Sequence, residues 1–146
     1  MSRDHRKLHV FQDATHKLVL AIYRATKEFP REEWYGLRAQ MRRAATSVPS
    51  NLVEGNARSS TRDYLKFLYI ALGSACERLC LIQLTEDLGY AGGKSWREIE
   101  RQADSVVRRL QRLTQSMEEL VAAEKAERMR RRTKTQEKAG NGSRTR

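Results

Sequence analysis

The sequence predicts an all-α fold, an antiparallel up-down bundle of four helices, on three observations. Apolar residues recur at spacings of three and four over long segments. Two prolines and eight glycines in 146 residues are too few for a turn-rich sandwich. The connections between periodic segments are short, which makes consecutive helices antiparallel neighbours. No strand alternation, Gly-rich phosphate loop or internal repeat competes, and the length suits one core. A basic lead over residues 1–12, a helical body over 13–123 and a basic, largely disordered tail over 124–146 are the expected divisions.

The first helix is expected from Asp13, a plausible N-cap, through Leu18, Ile22 and Ala25 to Phe29, where Pro30 ends it. The second opens at Pro30 or Arg31, with Glu32 and Glu33 in a first turn where the helix dipole favours acids. Its apolar stripe of Leu37, Met41, Ala44, Val48 and Leu52 crosses Pro49 without a change of phase, so one bent helix is expected. Pro49 has no N–H, leaves the Ala45 carbonyl without its helical donor and costs about 3 kcal/mol. A polar stripe, Gln40, Arg43, Ser47, Asn51 and Glu54, runs beside the apolar one and offers hydrogen bonds to a neighbouring helix or subunit. Gln40, Arg43 and Glu54 would suit catalysis only if a nucleophile, a histidine or a second acid joined them, and none does at a defined spacing.

Gly55 and Asn56 mark the end of the second helix, and Ser60 with Asp63 has the form of a capping box opening the third. Between Tyr64 and Leu84, 15 of 21 residues are apolar or aromatic and occupy nearly the full circumference. A helix apolar all round must be covered all round, and three partner helices shield about half of it. Self-association follows as an expectation, with Phe67 and Ile70 on the third helix and Gln40, Ser47, Pro49, Asn51 and Glu54 on the second as subunit-interface candidates. The fourth helix is expected from a second capping box, Ser95 to Glu98. Trp96, Ile99, Ala103, Val106, Leu110, Leu113, Met117 and Leu120 then form a coiled-coil-like seam. Fraying is expected between Glu124 and Lys134.

The net charge of +11 is concentrated at the end, where residues 124–146 hold nine bases against three acids. Basic ends on a nearly balanced body favour a polyanion partner, because neutralising phosphates releases counterions. The candidate nucleic-acid contacts are Arg42 and Arg43, then Arg108, Arg109 and Arg112, then Arg128, Arg130, Arg131, Arg132 and Lys134. Aromatics are not interleaved with these bases, so RNA or DNA backbone binding without base stacking is the expectation. A merely solubilising tail is the competing reading.

No signal-peptide pattern opens the chain and no segment is read as approaching the roughly 20 apolar residues of a membrane span, so a cytoplasmic protein without a membrane partner is expected. Cys76 and Cys80, four apart on one helix face, suit a disulfide poorly and are expected to be buried thiols. His5 and His9 could share a helix face, with His16 beyond them, but two histidines without a positioned carboxylate make a poor metal site. Neither a metal, a cofactor nor enzymatic activity is expected, and a small nuclease is the weakest reading.

Tyr35-Gly36-Leu37, Gln40, Arg42-Arg43-Ala44-Ala45, Ser47-Val48-Pro49, Asn51, Glu54-Gly55, Arg58, Tyr64, Phe67-Leu68, Ala71, Gly73-Ser74 and Glu77 together resemble the bacterial 23S rRNA intervening sequence proteins. The resemblance covers about residues 8–120. It implies a small non-enzymatic bundle assembled as a homopentameric ring. It also implies kinship with the accessory variability determinant, which partners the reverse transcriptase of diversity-generating retroelements, so an adaptor subunit is the alternative function. Where the family tends to read E-L-x-T-Q, this chain has Glu77-Arg78-Leu79-Cys80-Leu81, and Val53 replaces a usual alanine.

Overall fold

Four helices carry the chain: α1 (His5–Ala25), α2 (Leu37–Asn56), α3 (Thr61–Asp87) and α4 (Gly93–Asn141). This computed structural model describes the backbone of residues 5–141 and the side chains of 11–136, with no strand among them. The side chains of His5 and His9 lie outside the described residues. α3 packs on both α2 and α4, and α1 packs on the same two helices.

α1 begins at His5, well before Asp13, where the first helix was expected to start. Nothing in the preceding residues breaks a helix, and Phe11 is held in the core with the Arg109 guanidinium 5.5 Å from its ring centre. Asp13 instead pairs with Lys17 one turn on, at 2.8 Å. α1 also stops earlier than expected, at Ala25. A single 3-10 turn, Thr26–Glu28, leads to Phe29, whose extended backbone (ψ 143°) is the conformation a residue before proline prefers.

A second 3-10 turn, Arg31–Glu33, replaces the expected first turn of α2, which starts only at Leu37. Glu32 and Glu33 therefore do not lie in that helix. Glu33 still serves its N-terminus, because its Oε2 accepts the Leu37 N–H at 3.0 Å. The α2 stripe is buried as expected, and Ala45 and Gly55 join it. A Cβ on Gly55 would lie 2.8 Å from the Phe67 Cβ and 3.0 Å from the Tyr64 ring. Helix propensity favours alanine over glycine by about 1 kcal/mol. The steric conflict opposes that gain, and Gly55→Ala is expected to lower the unfolding free energy by about 1–3 kcal/mol in a denaturant titration.

The helix runs through Pro49. Side chains supply hydrogen-bond donors around it: Ser50 Oγ donates to the Thr46 carbonyl at 2.9 Å and Asn51 Nδ2 to the Ser47 carbonyl at 2.8 Å. Thr46 Oγ1 donates one turn earlier, to the Arg42 carbonyl at 3.0 Å. These bonds add side-chain donors to carbonyls flanking the proline.

Ser60 caps α3 as expected, its Oγ accepting the Asp63 N–H at 3.1 Å. One side of α3 is core: Tyr64, Leu65, Leu68, Ala71, Ala75, Leu81 and Ile82. The other side leaves Tyr69, Ile70, Leu84 and Leu88 between 43% and 51% exposed. Cys76 and Cys80 are exposed as well, correcting the expectation of buried thiols, because they fall on this outer side. α3 is also long and apolar enough, with a mean hydropathy of 1.4 over its most apolar window, to cross a membrane by length and composition. That corrects the reading that no segment approaches a span.

α4 starts at Gly93 (φ 79°), so Ser95 sits inside it and does not cap it. Glu98, the expected capping partner, binds Arg101 and Gln102 instead, and these contacts hold its carboxyl down at about 2. The seam is buried from Trp96 to Leu110 and half-buried at Leu113 and Met117. The helix does not fray between Glu124 and Lys134 but continues to Asn141. Residues 124–139 contain no glycine or proline and are mostly Ala, Glu, Lys, Arg and Gln, all strong helix formers.

Candidate nucleic-acid interface

At 49 residues, α4 is about 74 Å long and outreaches the helices it packs on. Two contacts fix where it leaves them. Tyr69 Oη donates to Glu118 Oε1 at 2.6 Å, and Thr61 Oγ1, at the start of α3, donates to Glu124 Oε1 at 2.8 Å. From Ala122 to Gln136 every residue is exposed. The backbone of residues 125–141 thus projects about 25 Å past the N-terminus of α3.

The chemistry of α4 changes at that point. The face carrying Leu110, Thr114, Met117 and Val121 onto the core continues, at the same helical spacing, into Glu124, Arg128, Arg131, Arg132 and Thr135. Arg128, Arg131, Arg132, Thr135 and Gln136 line one open depression on that face. Arg130 and Lys134 are exposed on other sides of the helix. Arg131 is engaged by Glu127, an exposed pair one turn apart that is easily exchanged for phosphate.

The other candidate bases divide. Arg43 and Arg112 are exposed, and Arg108 is exposed but paired with Asp104. Arg42 has a structural task within the chain. Its Nε donates to Thr26 Oγ1 at 2.9 Å and its Nη2 to the Tyr23 carbonyl at 3.0 Å, with the guanidinium 4.5 Å from the Tyr23 ring centre. It ties α2 to the end of α1. Partial burial, then the nearby Arg38 charge, lowers its pKa.

The polar stripe of α2 is largely satisfied within the chain. Gln40 Nε2 donates to Glu77 Oε1 at 3.2 Å, Ser74 Oγ to Ser47 Oγ at 2.8 Å and Asn51 Nδ2 to Ser47 Oγ at 3.1 Å. Glu54 pairs with Arg58, which lies 4.6 Å from the centre of the half-buried Phe67 ring. Of the interface candidates, Gln40, Glu54 and Ile70 are exposed, and Ser47, Pro49, Asn51 and Phe67 are half-buried.

Arg78 escaped notice in the sequence as anything but a departure from a motif. It is fully buried, and Nε, Nη1 and Nη2 all lack hydrogen-bond partners. Burial pushes its pKa down to about 10. Position on the wheel was the available signal, because Arg78 shares the inner face with Ala71, Ala75 and Ile82. No group of three or more His, Cys, Asp or Glu side chains suited to a metal occurs among the described residues.

Residues 6–112, from the start of α1 to the middle of α4, match the 23S rRNA-intervening sequence protein family. The chain belongs to that family. A crystal structure of a protein of unknown function from the S23 ribosomal protein family of Bacteroides thetaiotaomicron VPI-5482 is similar at a TM-score of 0.68 and 22% identity, covering 75% of this chain and 98% of that one. At that identity the likeness is one of fold. No curated protein matches the sequence. The intervening sequence family match ends at Arg112, so the whole projecting cluster from Arg128 to Lys134 lies beyond it.

Proposed function

We propose that this intervening sequence family member is a non-enzymatic, self-associating antiparallel bundle that binds nucleic-acid backbones, RNA or DNA, along the projecting part of α4. One observation carries the reading: the face of α4 that holds Leu110, Thr114, Met117 and Val121 towards the core continues, past Glu124, into Arg128, Arg131 and Arg132 where the helix leaves it. Bases fixed on a rigid helix meet phosphates with less ordering cost than bases on a flexible tail. Side chains there offer charge without aromatic platforms, which suits backbone contacts and not base reading. The up-down arrangement is supported by pairings in which residue numbers rise on one helix as they fall on the next, such as Gln40 with Glu77 and Gly55 with Phe67.

Self-association is supported by the exposed apolar side of α3. Each added copy multiplies the phosphate contacts, and the five-fold ring implied by the family resemblance would do so strongly. A reverse transcriptase gene beside this one, with template and variable repeats, is the observation that would favour the adaptor reading. Native mass spectrometry of the full chain with and without a 30-nucleotide RNA tests assembly and ligand together. A multimer that gains RNA mass is expected; a single copy that gains none overturns the proposal. If Pro49 shapes a subunit surface, Pro49→Ala is expected to keep its helical circular dichroism while changing the oligomer mass, and an unchanged mass returns the proline to a local role.

A further inference from the structure

The projecting arm of α4 is not basic all round. Ala126, Met129, Thr133 and Gln136 are all exposed and follow one another at spacings of three, four and three, so one side of the arm is an uncharged stripe. The Thr133 hydroxyl is spent within the helix, donating to the Met129 carbonyl at 3.1 Å. Cations flank this stripe in matched pairs. At 3.6 residues per turn, Arg130 and Arg132 stand about 80° to its two sides, and Lys134 and Arg128 about 120°. Glu124, Glu127 and Arg131 lie about 140° or more away from it, with Arg131 paired to Glu127. The arm therefore has a neutral front, two basic flanks and a back that holds these two acids. The depression lined by Arg128, Arg131 and Arg132 opens on one flank and the back, and it leaves out Arg130 and Lys134.

We propose that this arm enters the major groove of duplex DNA, with the stripe on the groove floor and the two flanks on the phosphates of the two strands. The inference rests on the reading that α4 binds nucleic-acid backbones, and adds the kind of nucleic acid and the face that meets it. Charge and width choose the ligand. A duplex offers two lines of phosphate with an uncharged floor between them, which is the order of positive, neutral and positive that the arm carries. A single strand offers one line of phosphate, which the depression suits while Arg130 and Lys134 stay unused. A helix with its side chains is about 10–12 Å across and the major groove of B-form DNA about 12 Å wide, whereas that of duplex RNA is deep and too narrow to admit it. The arm also has the reach. Its backbone extends about 25 Å past the N-terminus of α3, so a groove can close around it without meeting the rest of the bundle. The arm of a second copy is a poorer occupant, because stripe against stripe sets arginine and lysine against arginine and lysine in either direction.

Anisotropy titrations of the full chain against a DNA duplex, an RNA duplex and a single DNA strand of equal length test this. The DNA duplex is expected to bind more than about tenfold tighter than the RNA duplex at the same salt. Arg130→Gln with Lys134→Gln should make the slope of log affinity against log salt shallower by about 2 for the DNA duplex and leave it unchanged for the single strand. Arg131→Gln should do the reverse, with no change for the duplex and a slope shallower by about 0.7 for the single strand. These positions are exposed, so the variants should keep the wild-type circular dichroism. A DNA duplex whose cytosines carry a glucosylated hydroxymethyl group at C5 keeps its phosphates but has a filled major groove, and should bind no better than the RNA duplex. Equal affinity for the two duplexes, or undiminished affinity for the filled groove, overturns the proposal, while steep salt slopes for all ligands leave backbone binding on α4 standing. Polyglutamate that binds as tightly as the DNA duplex also overturns it and makes the arm a surface for acidic polypeptides. Slopes near zero for every nucleic acid overturn both readings.

Discussion

Arg78→Met is expected to make the protein more stable, by about 1–4 kcal/mol, in thermal or denaturant unfolding. The reason is the cost of a buried guanidinium with no acceptor on any of its three nitrogens. Methionine has a similar length and no polar hydrogen, so it can fill the space beside Ala71 and Ala75 without that cost. The depression of its pKa to about 10 by burial is a penalty of the same order. The direction with pH follows from burial. Desolvation lowers the folded-state pKa below the unfolded one, so above about pH 10 the unfolded chain binds more protons and stability rises with pH. Below about pH 10 the full penalty is present. The stability gap between Arg78→Met and wild type should therefore be constant from pH 7 to 9 and shrink above pH 10. A variant less stable than wild type would show that the guanidinium is satisfied by a partner worth more than its desolvation.

The second large effect is expected in binding. Replacing Arg128, Arg131 and Arg132 together by glutamine should leave the core untouched, since all three are exposed beyond the N-terminus of α3. If each neutralises one phosphate, the slope of log affinity against log salt should become shallower by about 2–3, and affinity near physiological salt should fall more than about tenfold. Arg42→Gln is the control. Its guanidinium is committed to Thr26 and Tyr23, so it should lower thermal stability and leave the salt slope unchanged. The reverse outcome, with Arg42 controlling the slope and the α4 arginines silent, would move the contact surface onto the body of the bundle.

What the sequence revealed and what it hid divide along physical lines. The α2 stripe, the Ser60 cap and the α4 seam were legible because each is local, a matter of spacing on one helix. Helix ends were misplaced where the deciding contact is distant or the cue equivocal. Asp13 looks like a cap, yet Phe11 packs under Arg109 and extends α1 past it. Ser95 and Glu98 look like a capping box, yet Glu98 finds Arg101. Fraying is expected of α4 between Glu124 and Lys134, but helix propensity continues where the core does not. For the candidate site, charge count alone placed Arg42 and Arg128 in one class. Their neighbours separate them, one bonded across two elements and the other facing solvent. The exposed thiols of α3 were hidden in a helix that composition makes largely apolar, because only packing says which side is spent on the core.

The most direct measurement is the affinity of the full chain for single-stranded RNA and DNA of equal length between 50 and 300 mM salt. A binding surface made of the α4 arginines predicts affinities that fall steeply and in parallel for both, with a log–log slope of about −2 or steeper and little dependence on base sequence. A slope near zero for RNA and DNA alike would contradict it.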